Sequence, residues 1–299
     1  MTVVISDPRR MKLSSVIGTI SSRRRTLIVI AAAVSISPFL QACSSATTTN
    51  DAPSSAPSAA SPTEPVEWSY SGDNGPDQWG EIAASCQSGT SSSQSPINID
   101  SSSLVPESPP NAGAVTLHYV PTHFEVENTG RTIEAVPDDL DANSITIDGT
   151  RYYLQQFHLH TPSEHTITNQ SFPIELHLVN KSEDGAIAVL GVLLAAGAEN
   201  SALSELFTKM PTTVTDEQSM VPLDGKIDPT DLIPPSSAIA RYSGSLTTPP
   251  CTEPVLWSVF MTPSTVSAGQ VADLQQIFPD NHRPTQPLNG RVINEVQEG

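Results

Sequence analysis

The sequence predicts a mainly β protein: a single domain built on a large central, mostly antiparallel twisted sheet with short peripheral helices. Three observations carry this. Apolar, β-branched or alternating runs recur through the middle of the chain, at Ala114 to Val120, Phe124 to Val126, Ser144 to Ile147, Tyr152 to His160, Ile174 to Val179 and Ala186 to Leu194, each bounded by turn residues. Only Ser201 to Lys209 and Thr265 to Ile277 have helical spacing, the second opening after Pro263-Ser264 with Ser264 as its N-cap. Charged residues make up 15% of the 299, where a globular chain has about 25%, and there are 27 prolines, which favours strands and loops over helices.

Residues 1–42 read as an export signal. Ser22-Arg23-Arg24-Arg25 leads into Leu27 to Leu40, an apolar run of 14 residues broken only by serines and Pro38. A spanning helix needs roughly 20 apolar residues, so the run is too short to cross a bilayer and its flanks are those of a signal peptide. Leu40-Gln41-Ala42-Cys43 resembles the lipobox of bacterial lipoproteins, in which the cysteine is lipidated and becomes the mature N-terminus. An ordinary cleavage site with an incidental cysteine is the competing reading. Arg23-Arg24-Arg25-Thr26-Leu27 also resembles a twin-arginine signal, and the sequence does not choose between export routes. Residues 43–66 are mostly Ser, Thr, Ala and Pro and cannot bury enough apolar surface to order themselves. They read as a tether of roughly 20 residues, reaching ~60 Å if extended. The expectation is an exported chain, periplasmic or cell-surface, joined to the membrane by lipid at Cys43, with its folded domain at 67–299.

The formal charge is −18, but six of the 14 basic residues lie in the first 25 positions, where Asp7 is the only acid. Without that stretch 8 bases face 31 acids, about −23, which repels phosphate surfaces and argues against a nucleic acid partner. Of the three cysteines, lipidation of Cys43 leaves Cys86 and Cys251. In an exported chain these are either a disulfide or two buried thiols. Nothing in the sequence fixes an oligomeric state.

Chemistry gathers in two of the strands. In Phe157-His158-Leu159-His160, residues two apart project from the same face, so both imidazoles point one way. The next run holds Glu175-Leu176-His177-Leu178, beyond a Pro/Ser/Thr/Asn-rich connection, so a neighbouring strand can bring His177 beside the first pair. Three neutral imidazoles converging on one point make a zinc site with an open fourth position. Glu175 shares the face of His177 and can accept its remaining N–H, as carboxylates do for zinc-bound histidines. A single strand histidine is more often a hydrogen-bonded core residue, so this reading rests on the Glu-X-His joining the His-X-His. His118, His123, His165 and His282 have no comparable spacing and read as structural.

Further motifs stand around these: Gln156-Phe157-His158-Leu159-His160, Ser163-Glu164-His165-Thr166, Glu175-Leu176-His177-Leu178-Val179 and Ser243-Gly244-Ser245-Leu246-Thr247-Thr248-Pro249-Pro250. Their order and spacing closely resemble the α-class carbonic anhydrases. The likeness runs from Trp68-Ser69-Tyr70 and Asn74-Gly75-Pro76, through Gln94-Ser95-Pro96-Ile97-Asn98, to Arg283-Pro284-Thr285-Gln286-Pro287-Leu288-Asn289-Gly290-Arg291, nearly all of 67–299.

The resemblance implies that His158, His160 and His177 bind Zn²⁺, with Gln156, Glu175 and Asn289 as the partners that orient them. It implies reversible hydration of carbon dioxide to bicarbonate and a proton, by zinc-hydroxide attack. Thr247 matches the residue whose hydroxyl accepts from that hydroxide and donates to an ionised carboxylate, here Glu164. Val179, Val189, Leu246, Val255 and Trp257, with Thr248, match the substrate pocket, and Cys86 and Cys251 match the disulfide of exported members. One position departs from the family: Arg131 in Asn128-Thr129-Gly130-Arg131-Thr132 stands where fast members carry a proton-shuttling histidine. Arginine does not deprotonate in proteins and cannot relay a proton. Glu134 is then either a substitute relay or an ion-pair partner of Arg131, the second being the preferred expectation. The alternative function is a catalytically weak carbonic-anhydrase-like surface binding module, against which the retention of all three histidines, Thr247 and Glu164 argues. A zinc hydrolase of esters or peptides lacks the His-Glu-X-X-His general base.

Overall fold

The computed structural model describes residues 67–89, 92–109, 113–216, 218–235 and 237–299. The signal, Cys43 and the tether lie outside the described residues. Fourteen strands occur among those described. They are β1 (Asn98–Ile99), β2 (Val105–Pro106), β3 (Val115–His118), β4 (Phe124–Asn128), β5 (Ile133–Pro137), β6 (Ser144–Ile147) and β7 (Thr150–His160). The second half contributes β8 (Thr166–Ile167), β9 (Ile174–Ser182), β10 (Ile187–Ala196), β11 (Val221–Pro222), β12 (Ile239–Gly244), β13 (Val255–Val266) and β14 (Asn294–Val296). The helices are short: α1 (Trp79–Ile82), α2 (Ser204–Lys209) and α3 (Ala268–Ile277).

Twelve strands form one sheet in the order β11-β4-β5-β7-β9-β10-β13-β12-β14-β2, with β6 joining β3 to β7. Its pairs are antiparallel except β10 with β13 and β14 with β2, so the sheet is mixed and mostly antiparallel as expected. Strands β7, β9, β10 and β13 form its middle, and their alternation separates two apolar layers. Phe157 and Leu159 of β7, Leu176 and Leu178 of β9, and Ala188, Leu190 and Val192 of β10 fill the larger core on one face. Val189, Leu193, Val255, Trp257 and Val259 pack on the other. At roughly 1.5–3 kcal/mol for each large side chain removed from water, these layers fix the sheet's register.

Two boundaries differ from expectation. Ser264 does not cap α3, because β13 continues through it, pairing Ser264 with Leu194 and Val266 with Ala196. The cap is Ser267: its Oγ accepts from Gln270 N at 3.2 Å, and Gln270 Oε1 accepts from Ser267 N at 3.1 Å, a complete capping box. The helical spacing at Ser201 to Lys209 resolves into a 3₁₀ turn, Ser201–Leu203, followed by α2. The disulfide is formed: Cys86 and Cys251 are bonded with Cα atoms 4.9 Å apart, packed with Trp79.

Candidate metal centre

One β-bulge aims the site. The register of β7 against β9 slips between Leu154 and Gln156, after which Gln156 pairs Val179, His158 pairs His177 and His160 pairs Glu175. All six are thereby on the face that carries Val189 and Trp257, since Val179 pairs Val189 and Val189 pairs Trp257. His158, His160 and His177 each present one ring nitrogen, and the three nitrogens lie within 4.8 Å of one another.

The other nitrogen of each ring is committed. His158 Nδ1 donates to Gln156 Oε1 at 2.8 Å, His160 Nδ1 to the Asn281 carbonyl at 2.7 Å, and His177 Nε2 to Glu175 Oε1 at 2.8 Å. Each acceptor fixes a tautomer, leaving lone pairs on His158 Nε2, His160 Nε2 and His177 Nδ1. Burial, first, holds all three imidazoles below the ordinary histidine range, His160 down to about 4. They are neutral at physiological pH. His160 Nε2 is buried without a hydrogen-bond partner among the described residues, a cost no protein group offsets. Three neutral imidazoles with converging lone pairs are a donor set that fits Zn²⁺ with one position open. A second cluster, His165, Glu175 and His177, is also close enough for a metal, but the atoms that meet there, His165 Nδ1, Glu175 Oε1 and His177 Nε2, are spent on hydrogen bonds to one another.

Glu175 holds the site together. Oε1 accepts from His177 Nε2 and from His165 Nδ1 at 2.7 Å, while Oε2 accepts from Glu164 N at 2.9 Å and His165 N at 2.7 Å. Burial pushes its carboxyl up, but His165 and His177 outweigh this and hold it well below the usual carboxylate range. The Tyr242 hydroxyl donates to His165 Nε2 at 2.6 Å, and His165 is fully buried. Glu164 Oε1 accepts from Arg283 N at 2.9 Å, and Oε2 is buried, without a hydrogen bond among the described residues, and 3.5 Å from His160 Nε2. Burial raises the Glu164 carboxyl, opposed by His177, the Thr247 hydroxyl beside it and the Arg283 N–H. Val189, Val255 and Trp257 form one buried apolar cluster with Val179 and Leu246 against it, and Thr248 is half-buried at the start of the following turn.

Two expectations fail here. Asn289 is exposed and does not orient a histidine: its Nδ2 donates to the Gly89 and Ser92 carbonyls at 2.8 and 2.9 Å, pinning a surface segment. The partner of His160 is the backbone carbonyl of Asn281, and a backbone acceptor leaves no side-chain signature in a sequence. Arg131 does not pair with Glu134. Its guanidinium stacks 4.3 Å from the Trp68 ring centroid and donates to the Trp68 carbonyl at 3.2 Å. Helical i,i+3 proximity does not apply, because Glu134 lies in β5, where it pairs Glu127 of β4 and His158 of β7. Burial, then Glu127, pushes Glu134 up to about 7.

The sequence model of the eukaryotic-type carbonic anhydrase family matches residues 74–297. The chain belongs to the α-class carbonic anhydrases. A carbonic anhydrase of Klebsiella pneumoniae is 41% identical over 232 residues, 76% of this chain and 90% of that protein. One of Neisseria gonorrhoeae is 37% identical over 243 residues, covering 80% and 91% respectively. Among solved structures, the α-carbonic anhydrase of Thermovibrio ammonificans, determined with the inhibitor sulfanilamide, superposes with a TM-score of 0.70 at 39% identity, over 76% of this chain and 98% of that one. The chain is accordingly an enzyme, a lyase of the carbonic anhydrase class, and the family's general reaction is CO₂ hydration.

Proposed function

We propose that this carbonic anhydrase hydrates CO₂ with one Zn²⁺ held by His158 Nε2, His160 Nε2 and His177 Nδ1. The observation that carries the reading is the leftover set of lone pairs: one nitrogen of each ring is committed to a partner, and the three remaining ones, without a hydrogen bond among the described residues, lie within 4.8 Å of one another. Bound there, the ion would acidify a coordinated water so that hydroxide is available near neutral pH, chemistry for which carbonic anhydrases are the standing example.

The chain's own residues do the rest. Gln156, the Asn281 carbonyl and Glu175 hold the three rings in register. Glu164 Oε2, buried and without a hydrogen bond among the described residues, can accept from the Thr247 hydroxyl beside the carboxyl. Donation to it leaves the Thr247 lone pairs facing the cleft, to accept a proton from the attacking oxygen and orient it. Val179, Val189, Leu246, Val255 and Trp257 offer an apolar resting place for a substrate with no hydrogen to donate. Arg131 takes no part in proton export; Glu134 is the titratable carboxyl on the strand beside His158.

Export and a lipid anchor at Cys43 complete the proposal, supported by the basic, apolar and Ser/Pro-rich succession of residues 1–66. Metal analysis joined to stopped-flow CO₂ hydration tests the enzymatic reading. One zinc per chain and metal-dependent hydration are expected, and a purified protein that neither holds zinc nor hydrates CO₂ would defeat it.

A further inference from the structure

The structure assigns Gly191 the role of a positioning residue: its missing side chain makes the space in which the Glu175 carboxylate grips His177 and the Glu164 backbone. This rests on the zinc reading above.

Strand β10 reads Ile-Ala-Val-Leu-Gly-Val-Leu-Leu-Ala-Ala, and a glycine inside so apolar a strand costs stability through backbone freedom and lost packing. Conformation does not require it, since Gly191 lies in ordinary extended backbone within the strand, open to any residue. Close approach does. Gly191 sits directly opposite His177 of β9 and Val259 of β13, on the face that carries the site. A Cβ there would lie 3.1 Å from Glu175 Oε1, 3.4 Å from Val259 Cγ2 and 3.7 Å from Trp257 Cζ3.

The two apolar contacts are near ordinary van der Waals range; the carboxylate contact is not. Glu175 also has nowhere to retreat, because both its oxygens each accept two hydrogen bonds, from His177 and His165 on Oε1 and from the Glu164 and His165 backbone on Oε2. A methyl group at 191 therefore lengthens the bond to His177, the one donor that lies across from it. The His177 ring then loses its fixed tautomer and orientation, and its Nδ1 no longer points with the other two lone pairs.

The test is a double-mutant cycle of Gly191→Ala with Glu175→Asp, which retracts the carboxylate by one methylene. Zinc affinity is measured by competition with a chromophoric chelator. Gly191→Ala alone is expected to weaken zinc by about 10- to 100-fold, the usual cost of disturbing a ligand's partner, and to cost little more in the Glu175→Asp background. Equal affinity of Gly191→Ala and wild type, or the same loss in both backgrounds, would overturn the assignment and place the clash on Val259 and Trp257. If Gly191→Ala does not fold, recovery of folding in the double variant supports the role and failure of both overturns it. The metal-free protein gives a second readout, the deshielded N–H protons of His165 and His177 on Glu175 Oε1. These should shift in Gly191→Ala, and unchanged resonances count against the role. A wild-type protein that binds no zinc would defeat the proposed function by itself, without reference to residue 191.

Discussion

His160 is the side chain on which the zinc assignment can fail most simply. Its Nε2 is buried and has no hydrogen-bond partner among the described residues, so it either meets a metal or wastes about 1–3 kcal/mol of desolvation. His160→Ala should remove most of the metal affinity and nearly all hydration; unchanged zinc content by elemental analysis would sink the ligand set. Arg131 makes a different claim. Pinned on Trp68 and permanently charged, it cannot carry a proton outward. Turnover should therefore rise with small buffers such as imidazole, while kcat/KM, which reports CO₂ attack, changes little. Arg131→His should raise kcat at low buffer without a matching rise in kcat/KM. A wild-type kcat already high and indifferent to buffer would show that another group relays the proton, and Glu134→Gln, acting on a carboxyl raised to about 7, is then the variant expected to slow it.

Among the elements, α3 discriminates between two serines. Ser267→Ala breaks the capping box and should cost about 1 kcal/mol, whereas Ser264→Ala, on a half-buried strand position, should stay within about 0.5 kcal/mol; chemical denaturation of the pair checks this. The same misplacement shows what the sequence could reveal. Strands β3, β4, β6, β7, β9 and β10 were legible because their alternation or β-branched runs sit between turn residues. β5 alternates in burial, but its sequence Ile-Glu-Ala-Val-Pro does not alternate in polarity; β12 buries Arg241 and Tyr242, and β13 buries both faces of Trp257 to Phe260 beside a parallel partner, so none shows a simple period in its sequence. The His-X-His and Glu-X-His spacings gave the triad because ligands on strands keep period two. The partners that arrive from distant backbone, Asn281 on His160 and Arg283 on Glu164, left no comparable trace, and a motif match mistook Asn289 for the first of them.

At the level of the whole molecule, the site makes the metal-free protein sensitive to acid. His160 titrates near 4 in the folded chain, chiefly through burial, against 6.5 when exposed on unfolding. The folded state thus binds fewer protons between those values, and its stability is complete above about pH 6.5 and falls as the pH drops toward 4, by roughly 3 kcal/mol for this residue. Denaturation of the chelated protein at pH 7.5 and 4.5 should show the loss; a flat profile would contradict it. The Cys86–Cys251 bond closes a separation of 165 residues, and its reduction should lower stability by up to ~4–5 kcal/mol, read as a fall in Tm. Mass spectrometry of the mature protein is expected to find lipid on Cys43; an unmodified Cys43 would refute the anchor. If the three converging imidazoles hold the ion that hydrates CO₂, a titration of Zn²⁺ into the chelated protein, monitored by CO₂ hydration, will show it. Activity should be absent at the start, rise linearly and level off at one equivalent. Full activity without metal, or none after one equivalent has bound, would rule out a zinc ion on these histidines as the catalytic centre.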